Sequence, residues 1–546
     1  MAEPASDPAR VKRSIGVLGL TFISVSGILG SGWLFSPQLT SSLAGPASII
    51  SWGIGAVAMV LIATSFAEVS SVLPVPGGVA RIPHFTHGDI TAAVIGWTAW
   101  VGYSTQAPIE VAVMLQYAGG TWPWLFDGPP TIGHLTNQGL CVAGAFLLFF
   151  VAINALGAQA FARANTSITW LKIAIPIVIA VAFFSVRFEP GNYSAHGGFA
   201  PFGIKGILAA VTNGGVVFAL IGFRHAIDMA GEARNPRTAV PIAIMLGLLI
   251  PVSIYLLIQV TFIGALTPGD LQGGWQNLHF SSRLGPLAAV SMTLGLSWLT
   301  AVVYGGAILG PLGGGLVATG SNGRLAYALA RNHFLPGWFE KLSLRSIPLR
   351  TLGLNLAIGL GLLALLPFRS IVSVNSAAIT LSFTAGPLAV YALRRQFPEA
   401  PRSLRLPAMP LQAVLGFVIA SFIIYWSGWQ TNQLLIGVIG TAVLFLAIKR
   451  LLIDRRPYRS LDWREAIWLV PFVASTLGIS YLGNFGGGLG VIPFGWDLAI
   501  LAVAGALNFW IAAWCRLPDD KAAAYRERYR QPDVPLTELG SESEPA

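Results

Sequence analysis

Charge is what this chain has least of. Of its 546 residues, 10% are charged and 54% are hydrophobic, whereas a soluble domain carries roughly a quarter charged residues. The shortfall excludes a soluble enzyme, a disordered chain and a nucleic-acid-binding module. Cysteine is scarce as well. Cys141 and Cys515 are the two present, which excludes a disulfide framework and a cysteine-ligated metal site. Long polar stretches are missing too: the longest are the termini and the segments near 187–205 and 267–284, so no soluble catalytic domain fits. His84 and His87 read as a loop too sparse in other ligands for zinc. The glycine-rich run Asn484–Gly490 lacks the Lys-Ser/Thr pair of a phosphate loop and reads as an outside loop. Neither cofactor nor metal is expected, and no enzymatic activity.

Long apolar runs are what the chain does have. A helix needs about 20 apolar residues to cross a hydrocarbon core. Runs of that kind predict an all-α polytopic membrane protein with 14 spans, the first ten near 14–36, 46–72, 89–118, 138–157, 164–186, 206–230, 239–266, 296–324, 348–368 and 371–393. Four more follow near 408–427, 431–449, 465–483 and 493–515. The run after Lys12 and Arg13 is too long for a signal peptide and lacks a small-residue cleavage site, so it reads as a retained helix.

Basic residues orient the bundle. With the N-terminus in the cytoplasm and sides alternating, the inside segments hold 27 of the 33 Lys and Arg. The outside loops hold four, Arg187, Lys205, Arg283 and Arg369, and Lys172 and Arg224 fall within spans. The inside clusters Arg394/Arg395/Arg402/Arg405 and Lys449 to Arg464 read as topology markers. The expected organisation is a cytoplasmic tail at 1–13, a ten-helix transport core at 14–393, four additional helices at 394–515 and a cytoplasmic tail at 516–546. That tail reads as a short helix followed by a disordered stub. The location is the inner or plasma membrane.

Function is sought where helices are spoiled. The first span contains Ser26-Gly27-Ile28-Leu29-Gly30-Ser31-Gly32, and the sixth contains Asn213-Gly214-Gly215 followed by Phe218-Ala219-Leu220-Ile221-Gly222-Phe223-Arg224. Glycine costs about 1 kcal/mol against alanine inside a helix, and unpaired backbone in hydrocarbon costs several kcal/mol per group. Such segments persist where a cavity or ligand satisfies the backbone. A single stretch of this kind fits close helix packing through small residues. Two of them, five spans apart, fit a transporter with inverted repeats and helices 1 and 6 broken. Freed N–H groups then hold a carboxylate, and freed carbonyls hold an ammonium. Gly310, Pro311 and Gly313–Gly315 in the eighth span read as packing.

These residues resemble the amino acid–polyamine–organocation superfamily, the amino acid permeases. Ser26 to Phe35 is similar to its first-helix glycine motif, and Phe66-Ala67-Glu68 with Pro74, Pro76, Gly77 and Gly78 to its second-helix motif. Gly222-Phe223 and Gly231-Glu232-Ala233-Arg234-Asn235-Pro236 resemble the sixth-helix motif and the loop after it. Arg324, Tyr327, Ala330-Arg331-Asn332 and Leu335-Pro336 resemble the loop after the eighth helix. The overall pattern is similar to the aspartate–proton symporter subgroup. The resemblance implies a five-plus-five inverted repeat, with substrate between the broken helices. The substrate site so implied comprises Ser26, Gly27, Ile28, Gly30, Ser31, Gly32, Phe218, Ala219, Ile221, Gly222 and Arg224.

Charged residues inside spans are functional by default. Lys172, in Thr169-Trp170-Leu171-Lys172 with Pro176, resembles the fifth-helix lysine that takes the place of a sodium ion in proton-coupled relatives. Lys172 and Glu110 are the expected proton-coupling groups; snorkelling of Lys172 to the near interface and a salt bridge for Glu110 are the structural alternatives. Arg224 stands where relatives carry an acidic residue. Guanidinium binds carboxylate in a forked geometry, so an acidic substrate, aspartate or glutamate, is expected; pairing with Glu110 or Asp228 is the alternative. His225 reads as a hydrogen-bonded core residue. Asp228 and Glu232, four residues apart on one helical face, with Glu68, Arg81, Arg324 and Arg331, form the expected cytoplasmic gate.

The reading as a whole is a proton-coupled symporter of acidic amino acids working by alternating access in the lipid bilayer. Its partners are the amino acid, protons and lipid, not nucleic acid. A neutral amino acid or polyamine permease or exchanger, or an amino acid sensor that does not transport, stands as the alternative.

Overall fold

The computed structural model describes residues 13–128, 133–278, 280, 285–454 and 461–530. The expected N-terminal tail, apart from Arg13, the stub beyond Arg530, Arg283 and part of the Lys449–Arg464 cluster lie outside them. The described chain is almost wholly helical, with one two-residue antiparallel pairing, Phe126↔Leu135 and Asp127↔His134. Eleven of its helical segments are long and apolar enough to cross a membrane. Helices dominate because a chain in hydrocarbon must pair each backbone N–H and C=O within its own segment.

The first interrupted span comprises α1 (Val17–Ile28) and α2 (Gly32–Ala44), followed by α3 (Ser48–Val72) and α4 (Gly78–Gly119). Then come α5 (Asn137–Ala155) and α6 (Ala158–Val186). The second interrupted span is α7 (Gly203–Thr212), α8 (Val216–Leu220), a 3-10 turn Ile221–Phe223 and α9 (Arg224–Asp228). It leads to α10 (Pro236–Ala265), α11 (Pro286–Thr293), α12 (Ser297–Arg331) and α13 (Leu349–Leu365). α14 (Phe368–Thr380) and α15 (Ala385–Gln396) are joined by a 3-10 turn, Leu381–Thr384. α16 (Met409–Trp426), α17 (Trp429–Ile448), α18 (Trp463–Ala466), α19 (Leu469–Leu482), α20 (Trp496–Trp514) and α21 (Asp519–Arg530) complete the chain.

α12 lies at the centre, packed against α1, α4, α5, α6 and α13, and α10 packs on α1, α3 and α6. Much of this is small-residue packing: Gly306 faces the Trp33 ring, Gly310 the Gly30 carbonyl and Gly315 the Phe150 ring. Large apolar side chains that point outward, such as Trp170, Val181 and Phe184 on α6, suit contact with lipid tails. α16 packs against α3, α15 and α20, tying the last helices to the centre.

Several expectations are corrected here. The expected third span near 89–118 is the second arm of α4, which a break at Gly88, at a φ of 77° that only glycine adopts freely, separates from a preceding helical arm that starts at Gly78. His84 and His87 therefore sit on a helix rather than in a loop. Asp228 and Glu232 do not share a helical face: α9 stops at Asp228, and Glu232 lies in a 3-10 turn, Ala230–Glu232. The short helix expected at the start of the polar tail is present as α21, and it docks on the bundle, with Leu517 N–H donating to Thr86 C=O at 2.8 Å and the Tyr525 hydroxyl to Asp462 at 2.9 Å.

Candidate functional site

Helix 1 stops within a stretch rich in glycine and serine, Ser26-Gly27-Ile28-Leu29-Gly30-Ser31-Gly32. α1 ends at Ile28, Leu29 leaves the helical region at ψ 50°, and α2 restarts at Gly32. The break strips carbonyls at the end of α1 of their amide partners, and side chains serve two of them, Ser26 and Ile28. Leu29 N–H closes on Val25 C=O at 2.8 Å. Lys172 Nζ donates to the Ser26 carbonyl at 2.7 Å and to its hydroxyl at 2.9 Å. The Tyr255 hydroxyl donates to Ile28 C=O at 2.9 Å. Lys172 is 2% exposed and does not snorkel.

The sixth span breaks at Asn213–Gly215, with Gly215 at φ 85°, and tightens again at Ile221–Phe223. The two broken spans meet backbone to backbone at Gly27 and Gly222. A methyl group on Gly222 would overlap the Gly27 backbone, and one on Gly27 would strike the His225 ring. Between the breaks lies a cavity of about 20 Å³, room for one water. Helix 1 contributes Gly27, Ile28, Gly30 and Gly32, and the sixth span contributes Phe218, Ala219, Ile221, Gly222 and His225. α4 adds Gln106 and Glu110, and α12 adds Gly314 and Ala318. A space of that size does not hold an amino acid.

Glu110, 8% exposed, lies beside Gly30, Gly314 and Ser31, and one of its oxygens has no hydrogen-bond partner. It interacts electrostatically with Lys172. α12 makes room for both: a Cβ on Gly313 would come within 2.8 Å of Lys172 Nζ, and one on Gly314 within 2.9 Å of Glu110 Oε1. The glycines of the eighth span are thus packing residues in a continuous helix, and Gly314 opens on the cavity too.

Most residues read from the sequence come together here. Ser26 and Ser31 flank the lining and do not form it. Arg224 lies outside it, on the far side of Gly222: fully buried, its guanidinium packs over the Tyr103 and Phe383 rings at 5.3 and 5.4 Å. None of its three nitrogens has a hydrogen-bond partner; the buried Asp228, one turn further on, has the Tyr103 hydroxyl and the Val79 backbone as polar neighbours. Arg224 and Asp228 interact electrostatically without a close ion pair.

The expected gate residues separate into three groups. Glu232 and Arg324 form a buried two-pronged ion pair at 2.6 and 2.7 Å, linking the end of the sixth span to α12. Glu68 instead holds Arg394 at 2.7 Å through both oxygens and accepts from Leu406 N–H at 2.8 Å, tying α3 to the α15–α16 loop. Arg331 pairs with Glu340 at 3.8 Å, and Arg81 packs over Phe85.

Two lining side chains escaped the sequence reading. Gln106 lies one turn before Glu110 on α4, so the spacing that put Glu110 inside placed Gln106 beside it; its side-chain oxygen is buried and unpartnered. His225 is a hydrogen-bonded core residue as expected, its Nδ1 2.8 Å from Ser321 Oγ, yet its ring also faces the cavity.

The described chain is thus a multi-pass membrane protein in which two interrupted spans flank a small cavity. A model of the amino acid permease family matches residues 15–448, and the chain belongs to that family. It is 34% identical over 515 residues to a glutamate/serine transporter of Bacillus subtilis, covering 92% of this chain and 94% of the relative. It is 34% identical over 520 residues to an aspartate-proton symporter of the same organism, covering 94% and 98%. A branched-chain amino acid permease of that species is 26% identical over 453 residues, covering 80% and 93%.

Proposed function

We propose that this protein imports an acidic amino acid, aspartate or glutamate, together with protons. The observation that carries the reading is the Lys172–Ser26 contact behind the cavity, opposite a buried Glu110. It joins a titratable ammonium to backbone that the substrate's own ammonium group would approach. A change of charge at Lys172 or Glu110 alters what the unwound segment can bind, which couples proton and substrate occupancy. The free N–H groups of the two breaks take the substrate α-carboxylate. Arg224 is the cation for the side-chain carboxylate, reached when the walls part; its unpaired guanidinium supports that role. The names of the two relatives at 34% identity, which specify glutamate, serine and aspartate–proton transport, support the substrate class.

Around this site we propose the ten-helix core at 14–393 as a five-plus-five inverted repeat, within 14 spans and with both termini cytoplasmic. The first, second, sixth and seventh spans rock against the rest, and the Glu232–Arg324 pair closes the inner side. The cell membrane is its location.

A second reading is a carrier of small neutral amino acids such as serine. The exclusion of Arg224 from the cavity lining favours it, as does the serine in one relative's name. Purified protein in liposomes separates the two. Radiolabelled aspartate is expected to accumulate when the outside is acidified, and unlabelled glutamate to compete better than serine. Uptake that ignores the pH gradient removes the proton claim; competition by serine but not glutamate selects the second reading.

A further inference from the structure

A second cavity, roomier than the one between the broken spans, lies elsewhere in the described residues. It has a volume of about 430 Å³ and lies where the ends of α15, α18 and α20 converge, beside the docked tail. That size is in the range of small-molecule sites. Three arginines reach it, Arg395 from α15, Arg464 from α18 and Arg516 after α20, with Glu465 as the one acidic lining residue. Glu465 has Lys521 3.9 Å away, and Arg516 has Asp519 at 2.5 Å. Arg395 and Arg464 have no carboxylate partner among the described residues. Their guanidinium planes are laid on rings instead, Arg395 over Tyr391 at 5.3 Å and Arg464 over Trp514 at 4.9 Å. Stacking orients the planar groups at the cavity wall and does not occupy their N–H donors.

Three arginines against one lining carboxylate leave this half-enclosed space net positive, so the site favours a negatively charged occupant. Its position says which kind. α20 is long and apolar enough to span a membrane. Val503, Leu507, Trp510 and Trp514 of that helix, at 62%, 60%, 49% and 66% exposure, follow one another at i, i+4, i+7 and i+11. They form an exposed apolar stripe that runs along the helix and ends in the tryptophans of the cavity wall. Tryptophans of that kind sit at head-group level. An acyl chain lying on the stripe brings its head group to Arg395 and Arg464.

We infer that this cavity binds the phosphate of an anionic glycerophospholipid, with Arg395 and Arg464 as its principal ligands and Trp510 and Trp514 as the seat of the glycerol and upper acyl chain. The lipid would clamp the end of the core span α15 to the last two spans.

The test uses the full chain, purified in detergent and stripped of lipid, with native mass spectrometry and thermal unfolding as readouts. The probes are phosphatidylglycerol, phosphatidylcholine and inorganic phosphate. Phosphatidylglycerol is expected to be retained and to raise the unfolding temperature; phosphatidylcholine and phosphate are expected to do neither. The double variant Arg395→Gln/Arg464→Gln should bind phosphatidylglycerol about thirtyfold more weakly, the usual effect of two cations at an anionic surface. Trp514→Ala, which leaves both cations in place, should weaken it less. Equal binding by the double variant, an equal effect of phosphatidylcholine, or an equal effect of free phosphate each overturns the assignment. Aspartate uptake by the double variant in liposomes serves as the check that it is folded.

Discussion

Lys172 Nζ lies 2.7 Å from the Ser26 carbonyl oxygen, the group that unwinding of helix 1 deprives of its amide partner. The contact makes the lysine a structural replacement for a lost helical hydrogen bond and, at the same time, an ionisable group behind the cavity lining. Both roles are open to measurement. Lys172→Met leaves a buried carbonyl without its donor, at a cost of about 1–3 kcal/mol, so the unfolding temperature in detergent should fall. Accumulation driven by a pH gradient should be lost, while exchange of internal for external aspartate persists. Gradient-driven accumulation at the wild-type level in Lys172→Met would remove the lysine from coupling.

The meeting of Gly27 and Gly222 leads to a second expectation. Neither position has room for a methyl group, because what it would strike is backbone or a ring held by Ser321. Overpacking of this kind costs about 1–3 kcal/mol, and here it also separates the two breaks. Gly222→Ala is expected to abolish substrate-induced thermal stabilisation as well as uptake. Gly53, where an added methyl group would meet no heavy atom within 4 Å, is the control. Gly53→Ala should be neutral or stabilising by up to about 1 kcal/mol through helix propensity, and should transport normally.

Arg224 gives a prediction in which stability and function move in different directions. Its guanidinium is fully buried with no hydrogen bond, an arrangement that burdens the fold. Arg224→Gln should therefore leave the unfolding temperature unchanged or raise it. Uptake of aspartate and glutamate should fall by about 100-fold or more, the loss of a forked charge-assisted pair, while any serine uptake is spared. Unchanged selectivity between aspartate and serine would make Arg224 a structural cation for Asp228.

How much of this was legible in the sequence depended on the kind of signal. Apolar runs of about 20 residues have few alternative fates, so the all-α membrane class was readable, and eleven helical segments are long and apolar enough to span. The two breaks were readable because glycine and serine runs in hydrocarbon need a special reason to exist. Pairings across the fold were not. Glu68, Asp228 and Glu232 looked like one gate because they lie near the same end of the bundle. Only the packing of α3 against the α15–α16 loop decides that Glu68 goes to Arg394 and leaves Arg324 to Glu232. The placement of Arg224 depended on a rotation invisible to residue spacing: the 3-10 turn Ile221–Phe223 tightens the chain and turns His225, not Arg224, toward the cavity. Gly88 gave no sign that it would bend one long helix, because the feature that occupies its open side, Asp462, is 374 residues away.

Asp462 is also the anchor of the C-terminal helix. Its carboxylate accepts from Asp89 N–H at 3.0 Å and from the Tyr525 hydroxyl at 2.9 Å, and it holds the Lys521 ammonium. Burial works against the charge on Lys521, but the hydrogen bond to Asp462 and the charges of Asp462, Glu465 and Asp89 raise its pKa above the usual 10.5. A cation whose pKa is higher when docked contributes its full share below the undocked value, and loses it only as pH rises through the docked one. Docking of α21 should therefore be constant from about pH 6 to pH 9 and weaken only in stronger alkali. Lys521 is 39% exposed, so the loss in Lys521→Gln is discounted to about 1 kcal/mol; Asp462→Asn, which weakens three contacts at once, should release the helix further. Hydrogen exchange of the amides in Asp519–Arg530 reads this directly: faster exchange is expected in both variants and greatest in Asp462→Asn. Exchange that accelerates between pH 6 and pH 9 beyond the intrinsic base-catalysed rise would mean that another group, not Lys521, holds the helix in place.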